Sequence, residues 1–168
     1  MKKIVVAGGC FWGVEEYFKR VRGIEKTKVG YVNANKENIT YQEVCSQRYQ
    51  AIEGVELIYN ENEITLQKIL ELLFRIIDPT SLDVQGFDRG YSYRVGAYYT
   101  NEEDKQIIET FIDENQPKYH YEIVFECKPL ISFVKAEDYH QDYLTKNPQG
   151  YCHVNFKVLN EEDKKGGI

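Results

Sequence analysis

The sequence predicts an α+β domain, a mixed sheet covered by helices, from three observations. Apolar runs of strand length alternate with segments of helical spacing, most connections between them are short, and no internal repeat or low-complexity stretch breaks the pattern. At 168 residues, one domain with a sizeable core is the default. Lys3 to Ala7 reads as a buried strand and Val14 to Lys19 as a helix. Lys26 to Val32 alternates polar and apolar like a strand, and Val55 to Tyr59 is read as another. Thr65 to Ile77 is the clearest helix. Thr65 is placed to cap it, its apolar residues recur at helical spacing, and Asp78-Pro79 stops it.

Thr80 to Tyr93 holds two glycines and little periodicity, and a loop that long inside a compact domain is usually functional or disordered. Its tyrosines and Asp88 argue for function. Arg94 to Tyr99 returns to strand, Asn101 caps a helix running to about Glu114, Tyr121 to Phe125 is strand, and Ala136 to Leu144 is a short helix. Past Phe156 the chain turns charged. A domain over residues 1–156 with a disordered tail over 157–168 is expected.

Hydrophobic residues make up 42% and charged residues 29%, ordinary for a soluble globular protein. The net charge of −6 leaves no basic footprint for nucleic acid or anionic lipid. Lys2-Lys3 ahead of Ile4 to Ala7 mimics a signal peptide, but the apolar run falls short of the ~7–15 residues such a segment needs. No stretch approaches a membrane span, and a cytoplasmic location is expected. The four cysteines (Cys10, Cys45, Cys127, Cys152) form no CxxC pair, and the three histidines have no metal spacing. HExxH, phosphate-loop and dinucleotide patterns are missing, so no stable cofactor is expected.

The chemistry centres on Gly8-Gly9-Cys10-Phe11-Trp12-Gly13, which puts a thiol where a strand gives way to a helix. Free N–H groups at a helix start favour an anion, so a cysteine there tends toward the attacking thiolate. Cysteine is equally a good buried small residue. An attacking thiol wants a proton donor and hydroxyls to hold the substrate oxygen. Glu53 enters a strand among apolar neighbours, where desolvation would keep it protonated; it also fits a surface glutamate at a strand edge. Tyr41 and Tyr93 are candidate hydroxyl donors, although among 14 tyrosines any single one is more often core. Cys152 lies in a proline- and glycine-bearing loop that could let its thiol reach another sulfur, whereas Cys45 and Cys127 fit inert fillers.

Gly9-Cys10-Phe11-Trp12-Gly13, Thr40 to Cys45, Asp78-Pro79-Thr80, Gln85-Gly86 through Asp88, Tyr93-Arg94, Ala136 to Gln141, and Lys146-Asn147-Pro148 to Gly150-Tyr151-Cys152 follow one another along the chain. In that order, these seven strings make it resemble the type A peptide methionine sulfoxide reductases over roughly Lys3 to Phe156. The resemblance implies a two-layer α+β sandwich close to the ferredoxin-like type. It implies Cys10 as nucleophile, Phe11 and Trp12 as the pocket for the substrate methyl, and Glu53 as proton donor. Tyr41 and Tyr93 would bond the sulfoxide oxygen, with Asp88 in the same network. Cys10 would become a sulfenic acid, which Cys152 would resolve as a disulfide for thioredoxin to reduce. The implied substrate is the S epimer, free or in proteins, and nothing demands more than a monomer.

Three departures from the family pattern bear on the pocket rim: Ala51 where histidine is common, Phe87 where asparagine is usual, and Val32-Asn33-Ala34-Asn35 in place of a glycine-rich stretch. Two competing classes are a different thiol enzyme, such as a peroxidase or hydrolase, and a redox sensor or methionine-binding module using a Cys10–Cys152 disulfide.

Overall fold

The computed structural model describes residues 1–166. β1 (Lys2–Gly8) runs through the interior of a six-stranded sheet, which explains its unbroken apolar run. Ile4 and Val6 point into the main core, while Val5 and Ala7 point into a smaller cluster on the opposite face. α1 (Phe11–Lys19), β2 (Ile24–Val32), α2 (Tyr41–Cys45), β3 (Ile52–Tyr59) and α3 (Leu66–Phe74) follow. Next come a small hairpin of β4 (Val84–Gln85) and β5 (Asp88–Arg89), then β6 (Val95–Tyr99), α4 (Glu102–Asn115), β7 (Glu126–Pro129), β8 (Phe133–Lys135) and α5 (Tyr143–Lys146).

The sheet order is β7-β6-β1-β3-β2-β8, antiparallel throughout except for the parallel β6–β7 pair at one edge. α1 and α3 bury Val14, Tyr17, Phe18, Ile69, Leu70 and Leu73 in the same cluster as Val55 and Leu57. Tyr17 spends its hydroxyl proton on the Leu72 carbonyl at 2.7 Å, so the two helices are joined by a satisfied buried donor as well as by packing. Truncating one of these fully buried leucines, Leu73→Ala for instance, costs roughly 2–5 kcal/mol. Among the described residues no helix is long and apolar enough to cross a membrane.

Several elements differ from the sequence expectation. α2 and β8 were unforeseen. α2 exists because Thr40 and Glu43 form a reciprocal capping box, strong enough to hold a five-residue helix. Residues 121–125 are not a strand. Gln116 takes up the Tyr121 carbonyl and the Ile123 N–H, and the Val124 N–H goes to Pro79, so the ladder begins only at Glu126. Residues 136–144 are not one helix, since a 3-10 turn at Asp138–His140 gives way to Asp142 in the left-handed region at φ 54. The Asp142 N–H donates to Glu15 on α1 at 2.8 Å, which turns the chain there. α3 stops at Phe74 rather than Ile77, and the long Thr80–Tyr93 segment contains the β4–β5 hairpin and a 3-10 turn at Tyr91–Tyr93.

The expected tail also differs. Through residue 165 it lies on the domain, with Leu159 and Asp163 buried. Arg75 donates to Asp163 at 2.9 Å and to the Val158 carbonyl at 3.2 Å, and the Lys165 N–H reaches the Arg20 carbonyl. The acidic run expected within a disordered tail thus supplies one carboxylate to Arg75. Residues 167 and 168 lie outside the described residues.

Candidate active site

β1 ends at Gly8, and Gly9 turns the chain at φ 89, in the left-handed region that favours glycine. Cys10 is then the residue capping α1, 7% exposed, and its side chain makes no capping bond. The helix-start donor is taken by a different group: the Phe11 N–H donates to Glu53 Oε1 at 3.2 Å. Glu53 sits on β3 opposite Tyr31 of β2, two residues before Val55, on the helix-covered face and not at a surface edge. It is 2% exposed, and burial pushes its carboxyl up to about 8 despite the Phe11 N–H, with Asp88 adding to the rise.

Burial pushes the Cys10 thiol strongly up as well, and the nearby Glu53 carboxyl adds to this, while the Trp12 N–H pulls the other way. The expectation that the helix start makes a thiolate is therefore corrected. Desolvation outweighs the dipole here, and the resting group is a thiol. Tyr93, the last residue of the 3-10 turn after β5, is raised by burial and then by Glu53, Asp88 and Cys10. Tyr41, the first residue of α2, is raised by burial and then by Cys45, with Glu53 and Cys10 also in range. Asp88 accepts from the Tyr151 hydroxyl at 2.9 Å. Cys10, Glu53, Tyr41, Tyr93 and Asp88 thus meet from five different elements of the chain.

Phe11 is 1% exposed, its ring between Tyr31 and His140 with centroids 5.9 and 5.3 Å away, so it is packed into the core and presents no open wall. Trp12 is only partly buried and stacks on Tyr143 at 3.8 Å and 10°. Cys152 packs against the first turn of α1, where a Cβ on Gly13 would stand 3.0 Å from its sulfur. Burial raises the Cys152 thiol too, and both thiols are free. Cys127 is half-buried beside the Lys105 carbonyl, and Cys45, read with it as an inert filler, is exposed at the end of α2.

Residues given no role in the sequence hold this assembly together. Glu137 accepts from the Tyr31 hydroxyl at 2.7 Å and from the Tyr41 N–H at 2.9 Å, anchoring α2 to β2. Gln141 exchanges bonds with both backbone groups of Val29. His140 accepts from the Trp12 indole at 3.0 Å, and His153 bonds the Gly8 carbonyl at 2.9 Å. All except His153 fall in the Ala136 to Gln141 string, whose close spacing was the available signal. Among the described residues, no three His, Cys, Asp or Glu side chains gather to hold a metal ion.

A family model described as peptide methionine sulfoxide reductase matches residues 2–166. The peptide methionine sulfoxide reductase MsrA of Clostridium botulinum is 50% identical over 155 residues, covering 92% of this chain and 99% of that protein. The reduced form of Mxr1 from Saccharomyces cerevisiae superposes with a TM-score of 0.87 at 36% identity, over 92% of this chain and 91% of that one. Mxr1 in complex with Trx2 matches with a TM-score of 0.61 at 28% identity, over 84% of each chain. With half its residues shared over almost its whole length, and a backbone that follows the yeast structure, the chain belongs to the peptide methionine sulfoxide reductase family.

Proposed function

We propose that Cys10 is the nucleophile in the family's thiol-dependent reduction of methionine S-sulfoxide, free or protein-bound. The observation that carries this is a buried thiol sharing its surroundings with a carboxyl whose pKa is about 8. At pH 7 roughly nine in ten Glu53 carboxyls then hold a proton to give. Tyr41 and Tyr93, kept protonated by burial, donate hydrogen bonds to the same sulfoxide oxygen, and Asp88 orients the network. Trp12 covers the substrate methyl, with Phe11 beneath it.

Glu53 protonates the sulfoxide oxygen as the Cys10 sulfur attacks the sulfoxide sulfur, and the Cys10 proton passes to Glu53. The S–O bond of the substrate and the new bond between the two sulfurs then break as the hydroxyl passes to the Cys10 sulfur, which becomes a sulfenic acid. Methionine leaves reduced by two electrons and Cys10 is oxidised by two. Cys152 attacks the sulfenic acid, forming the disulfide and releasing water. A thioredoxin, or a small dithiol, restores both thiols by exchange and leaves as its own disulfide. The Mxr1–Trx2 complex supports a thioredoxin in this role.

The same reading takes the fold as ferredoxin-like, supported by the inner order β6-β1-β3-β2 with helices joining β1 to β2 and β3 toward β6. It takes the enzyme as a monomer, since every group invoked comes from one chain. It sets the enzyme in the cytoplasm, where thiols stay reduced. The catalytic unit extends beyond 1–156 to include the packed residues that follow. Methionine release from separated S and R epimers, without reductant, tests the chemistry. About one methionine per protein from the S epimer alone, with about two thiols lost together, is expected; none from either epimer, in folded reduced protein, overturns the reading.

A further inference from the structure

His140 is 1% exposed, on the 3-10 turn that follows β8. Its ring packs against Tyr41, Tyr139, Phe11 and Trp12, with centroids 4.3, 4.2, 5.3 and 5.8 Å away. Its Nδ1 accepts the Trp12 indole N–H at 3.0 Å. An indole nitrogen only donates, so Nδ1 carries no proton while that bond stands, and the proton of the neutral ring sits on Nε2. Nε2 is buried and, among the described residues, has no acceptor. An apolar ring would fill the space without burying an unpartnered N–H, so what the imidazole adds is its hold on Trp12.

We propose that His140 is a positioning residue for the substrate: its neutral Nδ1 fixes the Trp12 indole as the wall over the substrate methyl, and protonation of His140 releases that wall. The proposal rests on the reading of Trp12 as the methyl-binding surface. Trp12 is held from two sides, by the stack on Tyr143 and by the bond to His140. The stack alone leaves the indole free to slide in its plane; the hydrogen bond sets its direction. A second proton on the imidazole has only Nδ1 to go to, and arrives at the cost of the indole bond. The titratable groups facing the ring are Glu137, Tyr41 and Tyr139, while Phe11 and Trp12 carry none. Burial lowers the His140 pKa against the pull of Glu137, so the indole is held at neutral pH and released in acid.

Trp12 is the single tryptophan, so its fluorescence reports this bond directly. Emission of the wild-type enzyme is expected to step as pH falls below about 6.5. His140→Asn, whose amide oxygen takes the place of Nδ1, keeps the KM for methionine sulfoxide within about twofold and loses the step. His140→Phe, filling the space with no acceptor, shifts the emission and raises KM roughly five- to tenfold while kcat is held, because the methyl contact acts on ground and transition states alike. Wild-type KM and emission in His140→Phe, or an acid step that persists in His140→Asn, would overturn the assignment. Should His140→Phe not fold by circular dichroism, the wild-type titration and His140→Asn still decide. Wild-type enzyme that forms no methionine at all would sink the functional reading instead, leaving the fluorescence step to be judged on its own.

Discussion

Replacing Glu53 with glutamine is expected to slow the chemistry and at the same time stabilise the fold, by an amount that grows with pH. The carboxyl is 2% exposed and its pKa is moved from 4.5 to about 8, chiefly by burial. A carboxyl held above its unfolded value binds its proton more tightly in the folded state. The fold therefore loses stability as pH rises from 4.5 to about 8. The loss is about 1 kcal/mol at pH 5 and about 4 kcal/mol at pH 8. Glutamine keeps an acceptor for the Phe11 N–H and does not titrate, so its own packing cost is the same at every pH. The gap in unfolding free energy between Glu53→Gln and wild type is thus expected to widen in the variant's favour by about 3 kcal/mol from pH 5 to pH 8. For a chain of this length that is roughly 6–12 °C in Tm. Thermal unfolding at a series of pH values measures it. In parallel, single-turnover methionine release is expected to fall roughly 10²–10⁴-fold in the variant. Wild-type release is expected to decline above about pH 8, where Glu53 loses its proton, and the variant is expected to lack that decline. Stability curves that run parallel for the two proteins across this range would refute both the burial argument and the proton-donor role drawn from it.

Cys10→Ser is expected to abolish methionine release with any reductant, since no other thiol holds the attacking position; residual single-turnover release above background would remove Cys10 from its role. Cys152→Ser is expected to release methionine once and to turn over with a small thiol reductant, but to lose thioredoxin-linked recycling; an unchanged thioredoxin-linked rate would assign the resolver elsewhere. Gly13→Ala puts a Cβ 2.9 Å from Val154 Cγ2 and 3.0 Å from the Cys152 sulfur. Overpacking there is expected to cost about 1–3 kcal/mol, and chemical denaturation that finds no loss would show that the 152–154 segment gives way freely.

The parts of the fold legible in the sequence are those whose reasons are local. Leu66, Ile69, Leu70 and Leu73 write α3 on one helical face, and Thr65 caps it with its own hydroxyl. β1 is legible because both its faces are buried and its apolar run is unbroken. Elements were missed where a distant partner decides. The strand expected at Tyr121–Phe125 is displaced by a glutamine side chain and a carbonyl from Pro79, and the tail packs because Arg75, far earlier in the chain, waits for Asp163. The candidate site divides the same way. Cys10 is marked by its glycine turn, yet Glu53 looks no different from an edge glutamate until the β2–β3 register turns it under α1. Likewise His140 carries no local sign that its acceptor belongs to Trp12, 128 residues away.

At Cys10 burial opposes the pull of the helix start. A helix start draws a thiol toward its anion by a fraction of a kcal/mol to about 2 kcal/mol, while removing that anion from water costs several. With Cys10 at 7% exposure and a carboxyl beside it, burial wins and the sulfur keeps its proton. Glu53 keeps its proton below about pH 8 for the same reason, so the resting pocket at neutral pH holds a neutral thiol and a neutral acid. Such a pocket is a poor nucleophile toward passing electrophiles. Under the proposed mechanism it becomes a good one only when a sulfoxide oxygen arrives to take the Glu53 proton, because the carboxylate left behind would then be a base for the thiol. The substrate's own oxygen would supply the charge separation that activates the sulfur, and reactivity would follow occupancy. Rates of alkylation at Cys10 test this directly. They are expected to stay low through pH 7 and to rise only in alkaline solution, whereas a thiolate stabilised by the helix would be alkylated rapidly at pH 6.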